Sequence, residues 1–197
     1  MKRALLALAL FSAEPALAQD EDPRGFIGLD IGPSVPFGNF ADASPSNARG
    51  GRAFPGYNST LLNLGWRFGE HFGVAAAVSY GEYVLRNGGD DDWWQMASLT
   101  VGPMYSRRLG SRTALDLKAM AGWTSLLPVV DSRASDNDQG NSLGIDLRAA
   151  VRYQVFSRWA AFAEGGVQAA NVTFPNGGQK DYRTMITGFG IAYRPGW

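Results

Sequence analysis

The sequence predicts an all-β fold, an eight-stranded antiparallel up-and-down β-barrel that spans a membrane. Three observations support this prediction. Apolar residues alternate with small or polar ones along eight segments, and the connections between the segments alternate between long and short. In addition, no apolar run approaches the ~18 residues of a membrane helix. If strands cross the membrane, they must form a closed barrel, because only closure pairs all their backbone N–H and C=O groups in lipid.

The first 18 residues have the pattern of an export signal. Lys2 and Arg3 form a basic start, an apolar run follows over residues 4–13, and Ala16 and Ala18 form a small-x-small cleavage pattern. The apolar run is too short for the ~20 residues of a spanning helix. We therefore expect a signal peptide, residues 1–18, followed by one barrel domain, residues 19–197.

Composition narrows the possible classes of protein. Basic and acidic residues balance at 18 each, so no strong overall charge points to nucleic acid as a partner. The chain has no cysteine, which excludes a small secreted scaffold held by disulfides. Stability must therefore come from backbone hydrogen bonds and burial.

Each predicted strand has one apolar face and one small or polar face. In the first strand, Ile27, Leu29 and Ile31 alternate with Gly28 and Asp30. The later strands repeat the pattern, the seventh least clearly because small residues occupy both of its faces. In chain order the predicted strands cover residues 25–32, 57–68, 72–84, 93–108, 112–126, 143–156, 159–173 and the segment from 181 to the end of the sequence.

The connections alternate in length along the whole chain. Short turns are predicted at residues 69–71, 109–111 and 157–158, and longer polar loops at 33–56, 87–92, 128–142 and 175–180. Transmembrane barrels follow this rule, with the short turns on one side of the membrane and the long loops on the other. Pro103 lies inside the fourth strand and cannot donate a ladder hydrogen bond, which predicts a bulge or bend there.

Charged residues of the strands fall on the face opposite the apolar one. They are Asp30, Arg67, Asp116, Lys118, Asp146, Arg148, Arg152, Glu164 and Arg194. The interior of an eight-stranded barrel is just wide enough for side chains to fill, so these charges would pair across the lumen and close it. The alternative fold is a soluble barrel of lipocalin type, in which the apolar faces point inward and the charges are solvated. Alternation alone does not decide between the two.

Aromatic residues cluster at both ends of the predicted strands, as in the two interfacial girdles of a membrane barrel. At the short-turn end they are Trp66, Phe68, Phe72, Tyr105, Tyr153, Trp159, Tyr193 and Trp197. At the long-loop end they are Tyr80, Trp93, Trp94, Trp123, Phe174 and Tyr182.

The last strand places Phe189, Ile191, Tyr193 and Trp197 on one face. This aromatic ending resembles the C-terminal signal that the barrel-assembly machinery of Gram-negative bacteria recognises. With the export signal, the eight strands and the alternating connections, the chain resembles small outer-membrane barrels of the OmpA transmembrane-domain, OmpX and opacity-protein type. The resemblance implies a place in the outer membrane, contact with outer-membrane lipid and lipopolysaccharide, and short turns in the periplasm.

The residues offer little support for catalysis, a metal or a cofactor. His71 is the only histidine and lies in a predicted short turn, so the catalytic sites of lipid-modifying barrels have no counterpart. Residues 136–140 resemble a calcium loop, but Leu147 occupies the position of the bidentate Glu. Weak binding of a divalent cation by residues 90–92, or by Asp136 and Asp138, remains a minor alternative. We expect no catalytic residue, no metal and no cofactor.

Two classes of function remain. In the first, a rigid barrel presents its long loops, above all residues 33–56, to an extracellular ligand, and serves adhesion or envelope integrity as members of the resembled family do. In the second, the barrel is a narrow pore for small solutes, governed by Asp116, Lys118, Arg148 and Arg152. The number of charges that can pair inside the lumen favours the first class.

Overall fold

Eight long antiparallel strands form a closed ring in the computed structural model, which describes residues 24–86, 92–130, 133–134 and 138–195. The strands of the ring are β1 (Gly25–Pro36), β2 (Gly56–Arg67), β3 (Phe72–Val84), β4 (Trp93–Arg108), β5 (Thr113–Val130), β7 (Gly140–Gln154), β8 (Trp159–Thr173) and β9 (Gln179–Tyr193). The two-residue strand β6 (Arg133–Ala134) pairs only with the end of β5. The predicted signal peptide, residues 1–18, and Trp197 lie outside the described residues.

The ring closes because β9 pairs antiparallel with β1, while every other ring strand pairs with the next one along the chain. This is the predicted up-and-down barrel. A short 3-10 helix, Gly38–Ala41, lies in the connection between β1 and β2. Among the described residues, no helix is long and apolar enough to cross a membrane.

The apolar faces of the strands point outward. In β4, Leu99 and Val101 are each 56% exposed, whereas Ser98 and Thr100 are only 5% and 2% exposed. The same inversion of the usual burial rule holds around the ring at Ile27, Leu29, Ile31, Leu117, Ile145, Leu147, Val151, Phe189 and Ile191. An apolar exterior with a polar interior is the arrangement of a transmembrane barrel and the opposite of a lipocalin.

Strand bounds agree with the sequence prediction for β3, β4 and β8. Strands β1 and β5 continue four residues beyond their predicted ends, to Pro36 and Val130, and β7 begins earlier, at Gly140. These extensions all lie at the long-loop end, where Val129 pairs with Trp93 and Leu126 with Gly140. Strand β9 also begins earlier than predicted, at Gln179 and not at residue 181, so the β8–β9 connection, residues 174–178, is almost as short as the turns at the other end.

The bulge predicted at Pro103 is absent from the described strands, because the register between β4 and its neighbours is the same on both sides of this residue. Register shifts occur instead between Gly28 and Asp30 and between Thr60 and Leu62. The second shift leaves Leu61 and Leu62 both exposed, and it reverses the faces of the strand on which the following residues of β2 lie. Thr60 and Asn63, which an unbroken strand would point to opposite faces, therefore both point into the lumen.

Exposed aromatic residues at the short-turn end include Phe68 and Phe72, and Trp159 packs edge to face on Tyr193. At the long-loop end the prediction of a girdle is wrong for Trp94 and Tyr182. Both are buried inside the barrel, because they lie on the inward face of their strands. Trp123, on the outward face, is 45% exposed, as a lipid-facing residue would be.

Candidate functional site

A network of buried charges crosses the middle of the lumen. Arg148, on β7, donates to Asp146 Oδ2 at 2.6 Å and to Glu164 Oε1 at 2.7 Å. Lys118, on β5, contacts the other oxygen of Glu164 at 2.5 Å. The four side chains are at most 2% exposed. Hydrogen-bonded ion pairs therefore link β5, β7 and β8 across the interior.

Neutral polar residues extend this network to the opposite wall. Thr60 Oγ1 donates to Asp30 at 3.0 Å, and Asn63 Nδ2 donates to the other oxygen of Asp30 at 3.2 Å. Arg148 also donates to Thr60 and to Ser79, at 2.9 and 2.8 Å. The register shift in β2 is what allows Thr60 and Asn63 to reach the same carboxylate.

Two further contacts complete the set. Lys118 Nζ donates to Asn63 Oδ1 at 2.9 Å, and Gln168 Nε2 donates to Asp146 at 3.0 Å. We call the nine residues the lumen network: Asp30, Thr60, Asn63, Ser79, Lys118, Asp146, Arg148, Glu164 and Gln168. Its four neutral members were not predicted, because the pattern of charged residues in the sequence does not include them. The inward parity of Ser79 and Gln168 was available as a signal.

Burial of so many charges is tolerated only because they are bonded to one another. Removing an ion from water costs several kcal/mol even after relaxation, and the cost is recovered only with good geometry and further hydrogen bonds. Arg148 meets this condition with five hydrogen bonds, from Nε, Nη1 and Nη2 to Asp146, Glu164, Thr60 and Ser79. The network therefore fills the lumen at this level with side chains that hold each other in place.

A second ion pair lies nearer the short turns. Arg152 donates to both oxygens of Asp116, at 3.0 and 3.1 Å, and its guanidinium lies 4.5 Å from the centre of the Phe26 ring. Phe26, Met104 and Phe162 belong to an apolar cluster inside this half of the barrel. The predicted pore residues are thus divided between the lumen network, with Lys118 and Arg148, and this separate pair.

Arg67 and Arg194 do not reach the lumen network. Arg67 donates to the backbone carbonyl of Glu70, at 3.1 Å, and Arg194 donates to the side chain of Gln154, at 2.8 Å. Both residues lie at the strand ends beside the short turns, where the lumen opens.

An aromatic cluster closes the long-loop end of the lumen. Phe40, in the 3-10 helix, is fully buried, and the centre of its ring lies 5.4 Å from that of Tyr83 and 5.0 Å from that of Tyr182. Trp94, Met96 and Leu126 belong to the same cluster. Below the rings, the hydroxyls of Tyr83 and Tyr182 lie 3.0 Å apart, and Tyr182 donates to Gln168 of the lumen network. The cluster thus lies directly on the network.

The β1–β2 connection, residues 37–55, carries Phe40 and is named the cap loop here. It is fastened to the barrel by hydrogen bonds from Trp94 to the Gly51 carbonyl, at 2.8 Å, and from Asn39 to Asp181, at 2.6 Å. Lys180 donates to two further carbonyls of the loop. These contacts hold the 3-10 helix over the lumen.

Asp42 organises the cap loop internally. Its carboxylate accepts hydrogen bonds from the Asn47 side chain, at 2.7 Å, and from the Ser44 backbone N–H, at 2.9 Å. Since both donors favour the ionised form, they lower the pKa of Asp42 below its ordinary value. The loop therefore has a defined fold of its own above the lumen.

The described residues contain no group of three potential metal ligands. His71 lies in the turn between β2 and β3 with its Nε2 3.8 Å from a Glu70 oxygen and its ring beside Tyr105. Of the residues in the minor alternative for a divalent cation, Asp90, Asp91 and Asp136 lie outside the described residues, whereas Asp92 and Asp138 lie within them. Of the predicted assembly signal, Phe189 and Ile191 are exposed on the outward face of β9, Tyr193 ends that strand, and Trp197 is not described.

A closed antiparallel barrel with an apolar exterior and a filled polar lumen defines a class of protein, the small transmembrane barrels. Comparison with solved structures gives the same answer. The barrel of Neisserial surface protein A (NspA) superposes with a TM-score of 0.64 at 14% identity, covering 87% of this chain and 97% of that chain.

Two other outer-membrane structures are similar at lower scores. Ail, the attachment invasion locus protein of Yersinia pestis, has a TM-score of 0.47 at 15% identity, over 86% of this chain and 98% of that one. The outer membrane protein OprG of Pseudomonas aeruginosa has a TM-score of 0.47 at 10% identity, over 88% and 98%. No protein-family model matches the chain, and no curated protein matches it as a relative. The chain thus has the fold of a small eight-stranded outer-membrane barrel.

Proposed function

We propose that the protein is an integral outer-membrane barrel, exported with a cleaved signal peptide (residues 1–18), that acts without catalysis as a structural and surface-interaction protein. Its lumen is closed, and its long loops face the outside of the cell for envelope integrity or adhesion. Outer-membrane lipid and lipopolysaccharide surround the wall. The assembly machinery reads the last strand through Phe189, Ile191, Tyr193 and Trp197.

One observation carries the proposal, the occlusion of the lumen at two successive levels. At mid-height Arg148 and Lys118 meet Glu164 at 2.7 and 2.5 Å, with side chains at most 2% exposed. Above them Phe40, Tyr83 and Tyr182 close the long-loop end with less than 2% exposure each. A solute would have to break buried ion pairs and displace the cap loop in order to pass.

The cap loop supports the role assigned to the long-loop end. It has its own hydrogen-bonded fold, with Asp42 and Asn47 at its centre, and it is tied to β4 and β9. A rigid loop recognises a ligand at a lower entropic cost than a flexible one. Its outer residues, among them Arg49 and Phe54, are exposed.

Conductance in planar bilayers tests the closed lumen. We expect the refolded chain to insert and to give no stable channels, because the buried ion pairs of Arg148 hold the middle of the lumen shut. Arg148→Ala and Arg152→Ala are recorded beside it, with Arg183→Ala, an exposed residue of β9, as the matched control. Resistance of the inserted protein to added protease verifies that a bilayer without channel currents still contains folded barrels.

Reproducible channels from the unmodified chain would contradict the proposal. If Arg148→Ala or Arg152→Ala then changed their conductance while Arg183→Ala did not, the protein would be a narrow pore for small solutes. The polar lining of the lumen, from Asp30 to Arg152, is the feature that would serve such a pore.

A further inference from the structure

A groove lies on the outer wall of the barrel across β7, β8 and β9, and we call it the wall groove. Its lining includes Phe37, Leu143, Ile145, Ala169 and Arg183. These residues lie just after the end of β1, near the start of β7, near the end of β8 and near the start of β9. Since the long loops connect all four of these strand ends, the groove lies in the half of the wall nearest the long loops.

The small side chain of Ala169 forms the floor of the wall groove. In the register of the sheet, Ala169 pairs with Ile145 of β7 on one side and with Arg183 of β9 on the other. Because alanine ends at Cβ and both neighbours are long, the wall is lowest along β8. The border on β7 is apolar, with Leu143 75% exposed and Ile145 53% exposed. The cavity measures about 450 Å³, within the range of pockets that hold small molecules.

Arg183 places a positive charge at the edge of the wall groove. The residue is exposed, and its backbone carbonyl accepts a hydrogen bond from the Phe37 N–H at 3.1 Å. An arginine can lay its methylene stem along apolar surface and keep its charged end at the polar boundary. Its guanidinium presents a rigid fork of N–H donors that matches a phosphate. The charge therefore favours a phosphate at Arg183, and the apolar border favours a hydrocarbon chain in the rest of the groove.

We propose that the wall groove binds a phosphate-bearing membrane lipid, with one acyl chain over Ala169 and the phosphate on Arg183. The inference rests on the proposed function, which places the outward faces of the strands in a bilayer. A bilayer fills an apolar groove with hydrocarbon. A lipid whose headgroup also reaches Arg183 is bound more strongly than its neighbours. The site holds this lipid in one orientation beside the long loops.

Quenching of a fluorescent label by lipids with brominated acyl chains tests the site in the full refolded chain. The label is attached in the variant Met185→Cys, because Met185 is the next outward residue of β9 after Arg183 and is 49% exposed. Vesicles of phosphatidylcholine receive increasing fractions of brominated phosphatidylglycerol or of brominated phosphatidylcholine. We expect half of the maximal quenching at an about fivefold lower fraction of phosphatidylglycerol, the ratio that ~1 kcal/mol for one basic residue near an anionic lipid gives.

Two substitutions separate the two parts of the site. Arg183→Gln removes the charge and should abolish the preference for phosphatidylglycerol at the Met185→Cys label. Ala169→Leu fills the groove while Arg183 stays in place, and it should reduce the preference as well. The matched control is a label in the variant Leu99→Cys, at a lipid-facing position of β4 that is 56% exposed. There both brominated lipids should quench equally.

The possible outcomes distinguish this site from the membrane location on which it rests. Equal quenching by both lipids at Met185→Cys, or a preference that survives both substitutions, overturns the lipid site and leaves the barrel in the membrane. A second copy of the chain on the groove would lower quenching by both lipids at Met185→Cys below that at Leu99→Cys, and this result also overturns the site. Absence of quenching at both labels would contradict the proposed function itself.

Discussion

Arg148 is the residue on which the interior of the barrel depends most. It bridges Asp146 and Glu164 and reaches Thr60 and Ser79 on the opposite wall, so it links β7 to β2, β3 and β8. Its side chain is fully buried. Such a residue contributes to stability chiefly because its loss would leave its partners buried without a counter-charge.

Arg148→Ala should therefore lower the free energy of unfolding by about 3–5 kcal/mol, the range for removing one partner of a buried ion pair. Urea unfolding of the refolded protein in lipid vesicles, followed by tryptophan fluorescence, measures the change. Arg112→Ala, in an exposed turn, is the control and should stay within about 0.5 kcal/mol of the unmodified chain. An equally small effect of Arg148→Ala would show that water or rearranged partners replace the guanidinium.

For single residues, the alternation in the sequence predicted which charged side chains point into the lumen. It did not predict which of them form hydrogen bonds with one another. Inward placement of Lys118, Asp146, Arg148 and Glu164 follows from alternation with their apolar neighbours. The inward placement of both Thr60 and Asn63 does not follow from alternation. It depends on the register shift at Leu61, which no turn or glycine marks in the sequence. Arg67 has inward parity too, but alternation does not tell how deep in the lumen a residue lies.

Among the elements, the strand ends show where sequence reasoning was sound. Bounds of β3, β4 and β8 were predictable because charged or glycine-rich turns interrupt the apolar alternation at their short-turn ends. In β1 the two prolines at 33 and 36 suggested a loop. Each removes only one donor, however, and Ser34 and Val35 still pair with Ile186 and Met185 of β9.

The cap loop was predicted only as a long polar connection. Its fold depends on contacts with residues far away in the sequence, chiefly those of Phe40 with Tyr83 and Tyr182, and a proline-rich and glycine-rich composition does not reveal them. Phe40 is the buried residue of the 3-10 helix, and it anchors the loop together with the hydrogen bonds that Trp94 and Lys180 make to loop carbonyls. The element is therefore open to a direct test.

Phe40→Ala should detach the cap loop without unfolding the barrel. Removing a buried phenylalanine costs about 3–5 kcal/mol, and here the loss falls on the loop because the strands keep their hydrogen bonds. Hydrogen exchange at the Ala53 amide, which donates to the Phe40 carbonyl, should become faster. Exchange in β7 and β8 should not change.

Phe54→Ala is the matched control for this loop. Phe54 lies in the same connection but is 42% exposed, and the centre of its ring lies 4.4 Å from the guanidinium of Arg86. Its removal should leave exchange at Ala53 almost unchanged. If both variants released the loop equally, or if Phe40→Ala unfolded the strands as well, the cap loop would not be the separately anchored element described above.

For the whole molecule, the decisive property is that the apolar faces of the strands point outward and the charged residues point inward, the reverse of a soluble protein. Alternation predicted eight strands and two faces, but it predicts the same for a soluble barrel, so the direction of the faces required the structure. Outward exposure of Leu99, Ile145, Leu147 and Phe189, with the charges buried inside, is stable only in lipid. The assignment of this barrel to a membrane depends on that direction.

Because the sequence contains no cysteine, the direction in which each side chain of a strand points can be measured one residue at a time. Single-cysteine variants at four consecutive positions of β4, Ser98, Leu99, Thr100 and Val101, would carry a nitroxide label in the refolded protein in lipid vesicles. Paramagnetic relaxation by oxygen, which dissolves in the bilayer, reports contact of each label with lipid. We predict high accessibility at Leu99 and Val101 and low accessibility at Ser98 and Thr100. The reverse alternation, or no alternation, would contradict a barrel that turns its apolar faces to the membrane.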